Sequence, residues 1–185
     1  MQLLSLKKNL LLLFFYSLFV ILNSSFVMAQ GWEKVYPYNS YIMDNFRGVQ
    51  QTIDGGYIAV GYISNNTVDT TFEYVYITKT DINGNIEWYK TYNCLGRARG
   101  YSIDKTSDGG YVIVGNSSAV DTLSYVVYLL IMKIDSYGNQ VWIKTYDIGF
   151  GNNGQSIEQT TDGGYIISGF EYDTNSISHP FIIKT

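Results

Sequence analysis

The stretch Thr106-Ser107-Asp108-Gly109-Gly110-Tyr111-Val112-Ile113-Val114-Gly115 returns twice in variant form, as Thr52-Ile53-Asp54-Gly55-Gly56-Tyr57-Ile58-Ala59-Val60-Gly61 and as Thr160-Thr161-Asp162-Gly163-Gly164-Tyr165-Ile166-Ile167-Ser168-Gly169. The aspartates stand 54 residues apart in both steps. A second block keeps the same period: Lys79-Thr80-Asp81-Ile82-Asn83-Gly84-Asn85-Ile86-Glu87-Trp88-Tyr89-Lys90-Thr91-Tyr92 aligns with Lys133-Ile134-Asp135-Ser136-Tyr137-Gly138-Asn139-Gln140-Val141-Trp142-Ile143-Lys144-Thr145-Tyr146. Two blocks on one period mark a tandem repeat, with units at about 46–92, 100–146 and 154–185.

Within a unit, runs rich in Tyr, Ile, Val and Thr are separated by Gly, Asp and Asn, which reads as strands joined by tight turns. In the middle unit the strands are expected near Tyr101–Thr106, Gly110–Asn116, Tyr125–Ile134 and Asn139–Tyr146. Asp-Gly-Gly between two such runs is a hairpin signal, because glycine accepts φ > 0 and aspartate bonds the turn backbone. Asp54, Gly55, Gly56, Asp108, Gly109, Gly110, Asp162, Gly163 and Gly164 are therefore expected to be structural turn residues. The run after each turn is apolar at successive positions, so its sheet must be covered on both faces. Four-stranded sheets stacked around an axis satisfy that need, and the fold class expected is all-β with β-propeller-like blades of four antiparallel strands, about three repeats, an incomplete propeller.

The two repeat patterns, T-x-D-G-G-Y-x-x-x-G and K-x-D-x-x-G-N-x-x-W-x-K-T-Y, resemble the tandem repeats of secreted propeller-like proteins of Bacteroidota across nearly all of residues 32–185. The resemblance implies export, a blade architecture, more repeats than are seen here, and a type IX secretion sorting domain, which this sequence lacks. The Asp81–Trp88 turn also resembles a loosened Asp-box of sialidase-type blades, a fold element that argues for blades and not for hydrolysis.

Export has its own signal. Lys7 and Lys8 precede an apolar run from Leu10 to Leu22, and Val27-Met28-Ala29 suits cleavage before Gln30, so residues 1–29 read as a secretory signal peptide and 30–185 as the mature domain. The apolar run is too short to span a hydrocarbon core of about 30 Å, so no membrane span is expected after cleavage. Removing Lys7 and Lys8 leaves ten basic residues against sixteen acidic ones. That balance, with only three arginines, gives no basic stripe for nucleic acid. One cysteine, Cys94, excludes an internal disulfide.

Chemistry is sparse. His179 is the sole histidine, which excludes a histidine metal cluster, and it is expected in a loop beside Pro180. Cys94 is likewise expected in an unrepeated connection, so Cys94→Ser and His179→Ala should leave the fold nearly intact. Asp81, Asn83 and Asn85 alternate like calcium ligands, but glycine stands at the wrong place for such a loop and a plain hairpin is favoured. Unrepeated carboxylates, Asp69, Glu73, Asp121 and Asp173, could serve glycoside hydrolysis, which needs two about 5–10 Å apart; nothing in their spacing demands it. No catalytic residue, cofactor or metal site is assigned.

The repeated turns are expected on one face of the blades. The segments 64–73, 93–98, 117–124, 147–153 and 171–179 gather on the other, where binding usually resides. Asp69, Arg97, Asp121, Asp147 and Asp173 are the candidate ligand-face residues. The function expected is a secreted or cell-surface, non-catalytic repeat scaffold whose partner is a glycan or protein. The alternatives are a propeller-type glycoside hydrolase and an inactive fragment of a longer propeller protein. Trp32-Glu33-Lys34-Val35-Tyr36 matches the fourth-strand pattern and is expected to form a lone extra strand; three blades are too few to close, so an open arc belonging to a longer protein is favoured over a two-fold assembly in which two chains exchange strands into a six-blade ring, and open blade edges invite self-association.

Overall fold

The computed structural model describes residues 31–36, 43–66, 71–94, 96–120 and 125–185. The chain divides into two units, Met1–Val35 and Tyr36–Thr185, and every strand among the described residues lies in the second. Residues 31–36 carry no β pairing. No strand is formed at Trp32–Tyr36, where the fourth-strand pattern led one to expect it. The expected signal peptide lies outside the described residues.

Among the described residues, eleven strands make three antiparallel sheets. Sheet 1 holds β1 (Met43–Gln51), β2 (Tyr57–Asn66), β3 (Thr71–Thr80) and β4 (Ile86–Tyr92). Sheet 2 holds β5 (Arg97–Lys105), β6 (Tyr111–Val120), β7 (Tyr125–Ile134) and β8 (Gln140–Tyr146). Sheet 3 holds β9 (Asn153–Gln159), β10 (Tyr165–Tyr172) and β11 (Ser178–Lys184). Neighbours in sequence are neighbours in each sheet, a plain up-and-down order. The register obeys the sequence period: Gln51 faces Tyr57, Lys105 faces Tyr111, and Gln159 faces Tyr165.

Each repeated turn is built alike. In sheet 2 the Thr106 N–H donates to the Gly110 carbonyl at 2.9 Å and the Gly109 N–H to the Thr106 carbonyl at 2.9 Å. Asp108 Oδ1 accepts from the Gly110 N–H at 3.1 Å and from the Thr106 hydroxyl at 2.6 Å. The two glycines are needed for different reasons. Gly109 has φ +82° and open space beside it, whereas a Cβ on Gly110 would press into the Ile134 carbonyl oxygen of β7.

The three sheets stack face to face. β5 lies over β1, β2 and β3, and β9 lies over β6 and β7, which puts sheet 2 between the other two. Alternation along β6 and β7 feeds two separate cores. Ile113, Leu130, Met132 and Ile134 pack with Ile58, Val60, Val75 and Ile77 of sheet 1. Val112, Val114, Leu129 and Ile131 pack with Ile157 and Ile167 of sheet 3. Gly100 and Gly154 permit the close approach: a Cβ on Gly100 would sit 2.5 Å from Val60, and one on Gly154 would overlap Val114.

Several expected connections are shorter than the sequence reading gives. Strands β2, β3, β5 and β6 extend into the segments expected to be irregular, because each hairpin neighbour continues to pair with the other past the end of the motif, as Asn66 with Thr71 and Val120 with Tyr125. Arg97 opens β5 and pairs with Ser118, and His179 sits in β11 opposite Glu171. Cys94, expected to be a dispensable connection residue, is buried in the core between sheets 1 and 2, and the Ser117 hydroxyl donates to its carbonyl at 2.6 Å. Burial pushes its thiol up to about 12.

Candidate functional site

Two concave sites frame the functional question. The first, about 490 Å³, lies among the repeated turns of sheets 1 and 2 and is lined by Asp54, Lys79, Glu87, Trp88, Tyr111 and Tyr137 among others. Lys79, buried at its ammonium end, holds Asp54 at 2.6 Å and also pairs with Glu87. The hydrogen bond from Lys79, then that from Thr52, holds the Asp54 carboxyl down to about 2.

This arrangement recurs. Lys133 meets Asp108 at 2.9 Å and Lys184 meets Asp162 at 2.8 Å. Asp108 is likewise lowered to about 2, by Thr106 first and Lys133 second. Asp162 is lowered further by Lys184. Each lysine comes from the third strand of its sheet and locks that sheet's first hairpin. The aspartates expected as turn residues are therefore ionised turn locks. Asp54 and Glu87 are joined through Lys79, and a general acid would need a carboxyl that stays protonated near neutral pH. A carboxylate held near 2 by an ammonium is the opposite case.

The second concave site, about 420 Å³, is lined by Phe150, Tyr172, Asp173, Thr174 and Ser176. It brings the β8–β9 connection against the β10–β11 turn. The Phe150 N–H donates to the Tyr172 carbonyl at 3.0 Å, and the Tyr172 ring would lie 3.0 Å from a Cβ on Gly151. Phe150 is 68% exposed and Tyr172 39% exposed, so two aromatic side chains offer area to solvent beside two hydroxyls and a carboxylate. Asn152 anchors the connection from beneath. Fully buried, its Nδ2 donates to the Val127 carbonyl at 2.8 Å and to the Gly149 carbonyl at 3.0 Å.

Asp173 organises its turn as Asp81 and Asp135 organise theirs. Its Oδ1 accepts from the N–H groups of Asn175 and Ile177 at 2.8 and 2.9 Å. Asp81 does the same for Asn83 and Asn85, and Asp135 for Tyr137 and Asn139. These bonds, led by that from Ile177, lower the Asp173 carboxyl. Ser176, at φ +62°, takes the place of Gly84 and Gly138. The Asp81 carboxylate is spent on its turn, and among the described residues no group of three His, Cys, Asp or Glu side chains is placed to hold a metal.

Of the five candidate ligand-face residues, Asp173 lines the second site and Asp147 begins the connection that supplies Phe150. Arg97 lies in β5. Asp69 and Asp121 lie outside the described residues. Phe150, Tyr172 and Asn152 were not singled out from the sequence, although exposed aromatics inside two irregular segments were signals that could have found them.

Glu73, a candidate carboxylate, is buried. It accepts two hydrogen bonds from Arg99 at 2.6 Å each, and the Arg99 guanidinium stands 4.8 Å from the Tyr62 ring centre. This pair ties β3 of sheet 1 to β5 of sheet 2. No family model matches the chain, and no curated protein is significantly similar to it.

Proposed function

We propose that this chain is an exported, non-catalytic scaffold of propeller-like blades that binds a glycan or protein through the Phe150–Tyr172–Asp173 cleft. One observation carries the reading: two exposed aromatic rings, flanked by the Thr174 and Ser176 hydroxyls and the Asp173 carboxylate, line a shallow site on the irregular side of the sheets. Aromatic faces cover the apolar faces of sugars or of partner side chains at low entropic cost, while hydroxyls and a carboxylate supply orientation. The stacked sheets with two dry cores support blades as the scaffold.

The test is an array of glycans and extracellular proteins probed with the exported protein, its Phe150→Ala variant and its Tyr172→Ala variant. Binding by the parent that falls at least about tenfold in both variants, equivalent to ~1.4 kcal/mol, supports the reading. Binding that both variants retain would move the site elsewhere. Turnover of a glycoside that Asp54→Asn or Glu87→Gln abolishes would favour the hydrolase reading instead.

A further inference from the structure

The repeat separates what the sheets need from what one cleft adds. Lys133 locks the first turn of sheet 2 through Asp108, both carboxylate oxygens lying at 2.9 Å. Lys79 locks the first turn of sheet 1 through Asp54 and then takes Glu87 as well. Val141 stands in sheet 2 where sheet 1 has Glu87, so the lock does not require a second carboxylate. Tyr137 stands where sheet 1 has Asn83, and each gives its backbone N–H to the aspartate two residues before it, so the turn does not require the ring. Glu87 and Tyr137 meet only at the cleft of about 490 Å³ between sheets 1 and 2, which both of them line.

That cleft holds unspent acceptors. Two carboxylates share one ammonium, which leaves the group with one negative charge in excess. The Lys79 side chain is 8% exposed, whereas those of Asp54 and Glu87 are 57% and 42% exposed, so the negative ends face the opening. Glu87 reaches Lys79 through Oε2, and its Oε1 has no hydrogen-bond partner among the described residues.

Tyr111 supplies a second, independent observation. It is 5% exposed and lines the cleft, yet its hydroxyl makes no hydrogen bond among the described residues. A polar group withdrawn from water without a partner is costly, and a donor arriving in the cleft would relieve it. Burial raises the pKa of this phenol, Lys79 opposes the rise, and Asp54 and Glu87 add to it, so its oxygen lies in the field of the same three charges. Between sheets 2 and 3 the corresponding rings, Trp142 and Tyr165, meet edge to face with centres 6.1 Å apart. Trp88 and Tyr111 make no such contact among the described residues, and both line the cleft.

We propose that the cleft between sheets 1 and 2 binds the guanidinium of an arginine side chain in a basic peptide segment, with Asp54 and Glu87 opposing its charge, the Tyr111 oxygen accepting one N–H and the Tyr137 ring covering its face. A guanidinium offers five N–H donors in one plane and no acceptor, and it stacks on an aromatic face while its edge meets a carboxylate. Tyr137, 75% exposed, offers such a face. The neighbouring lysines are already engaged, Lys133 by Asp108 and Lys90 by Asn139 Oδ1 at 2.9 Å. The chain's net charge of −4 also draws cations toward it. The site is formed by the repeated turns and is separate from the Phe150 cleft.

Isothermal titration calorimetry at low salt on the exported protein, with the peptide acetyl-Gly-Arg-Gly-amide as probe, reads the outcome. A Kd below about 1 mM is expected. Citrulline in place of the probe's arginine keeps the shape without the charge and should weaken binding at least about tenfold, and lysine in its place at least about threefold. Glu87→Val copies the residue of sheet 2 and Tyr111→Phe removes one oxygen, so both should keep the parent's far-UV spectrum while raising the arginine Kd at least about tenfold and about threefold. Glu158→Gln, which removes an exposed carboxylate of β9, should leave the Kd unchanged and so separates the cleft from the chain's net charge. No binding at about 5 mM probe, equal binding of the citrulline or lysine peptide, or a Kd that Glu87→Val leaves unchanged overturns the proposal. Glycan or protein binding at the Phe150 cleft is a separate readout and can fail without touching this result.

Discussion

Gly109 and Gly110 look equivalent in the sequence, and the structure predicts that they are not. Alanine at Gly109 meets no atom within 4 Å, so its cost is the left-handed conformation alone, about 1–2 kcal/mol. Alanine at Gly110 drives its methyl into the Ile134 carbonyl and to 2.5 Å from Lys133 Nζ. The β6–β7 ladder pairs Tyr111 with Ile134 directly beside the clash, so relief needs a backbone shift costing about 1–3 kcal/mol. That shift also strains the Thr106–Gly110 and Gly110–Asp108 bonds, each worth about 1 kcal/mol. The sum is about 2–4 kcal/mol, a fall in Tm of roughly 5–15 °C for a domain of this size. Urea unfolding of Gly109→Ala and Gly110→Ala under identical conditions measures the difference. Equal losses, or a larger loss at Gly109, would refute the assignment of positive φ to one glycine and close approach to the other.

Three further outcomes follow from the same contacts. Arg99→Met should destabilise by about 2 kcal/mol, because Glu73 is left buried and charged, and adding Glu73→Gln should recover most of the loss; a double-mutant cycle by urea unfolding checks both. Asp108 sits near 2 when folded against an unfolded value of about 3.9. Its contribution is therefore fully present above about pH 4 and lost as pH falls toward about 2, so Lys133→Met should flatten the acid side of a Tm-versus-pH curve; an unchanged acid limb would discount the lock. Cys94 should resist thiol reagents until the protein unfolds, and Cys94→Ser should cost about 1–3 kcal/mol from burying a hydroxyl; rapid labelling of the folded protein would contradict the buried position.

The period, the strand character and the turn aspartates were legible because they depend on local chemistry repeated at fixed spacing. The register repeats every 54 residues because the motif does, and the alternation of Val112 and Val114 against Tyr111 and Ile113 announced two dry faces. Less legible was anything that depends on a residue meeting a different unit. Glu73 and Arg99 lie 26 positions apart, outside either repeated block, and nothing local says that one will bury the other's charge. Cys94 follows the last motif residue of its unit and looked like loop, yet stacking of the second sheet encloses it. Asp173 reads in the sequence as a ligand-face carboxylate, and its turn role is hidden because Ser176 replaces the glycine that marks the same turn at Gly84 and Gly138. Phe150 was invisible as a site residue because its partner, Tyr172, arrives from the turn after β10.

The binding claim is tested most directly by amide chemical-shift mapping, by NMR, of whichever glycan or protein the array selects, titrated into the exported protein. Shifts concentrated at Phe150, Gly151, Tyr172, Asp173, Thr174 and Ser176 are expected, with Lys79, Trp88 and Tyr111 unmoved. Shifts centred on Lys79, Trp88 and Tyr111, with the Phe150 cleft silent, would contradict it.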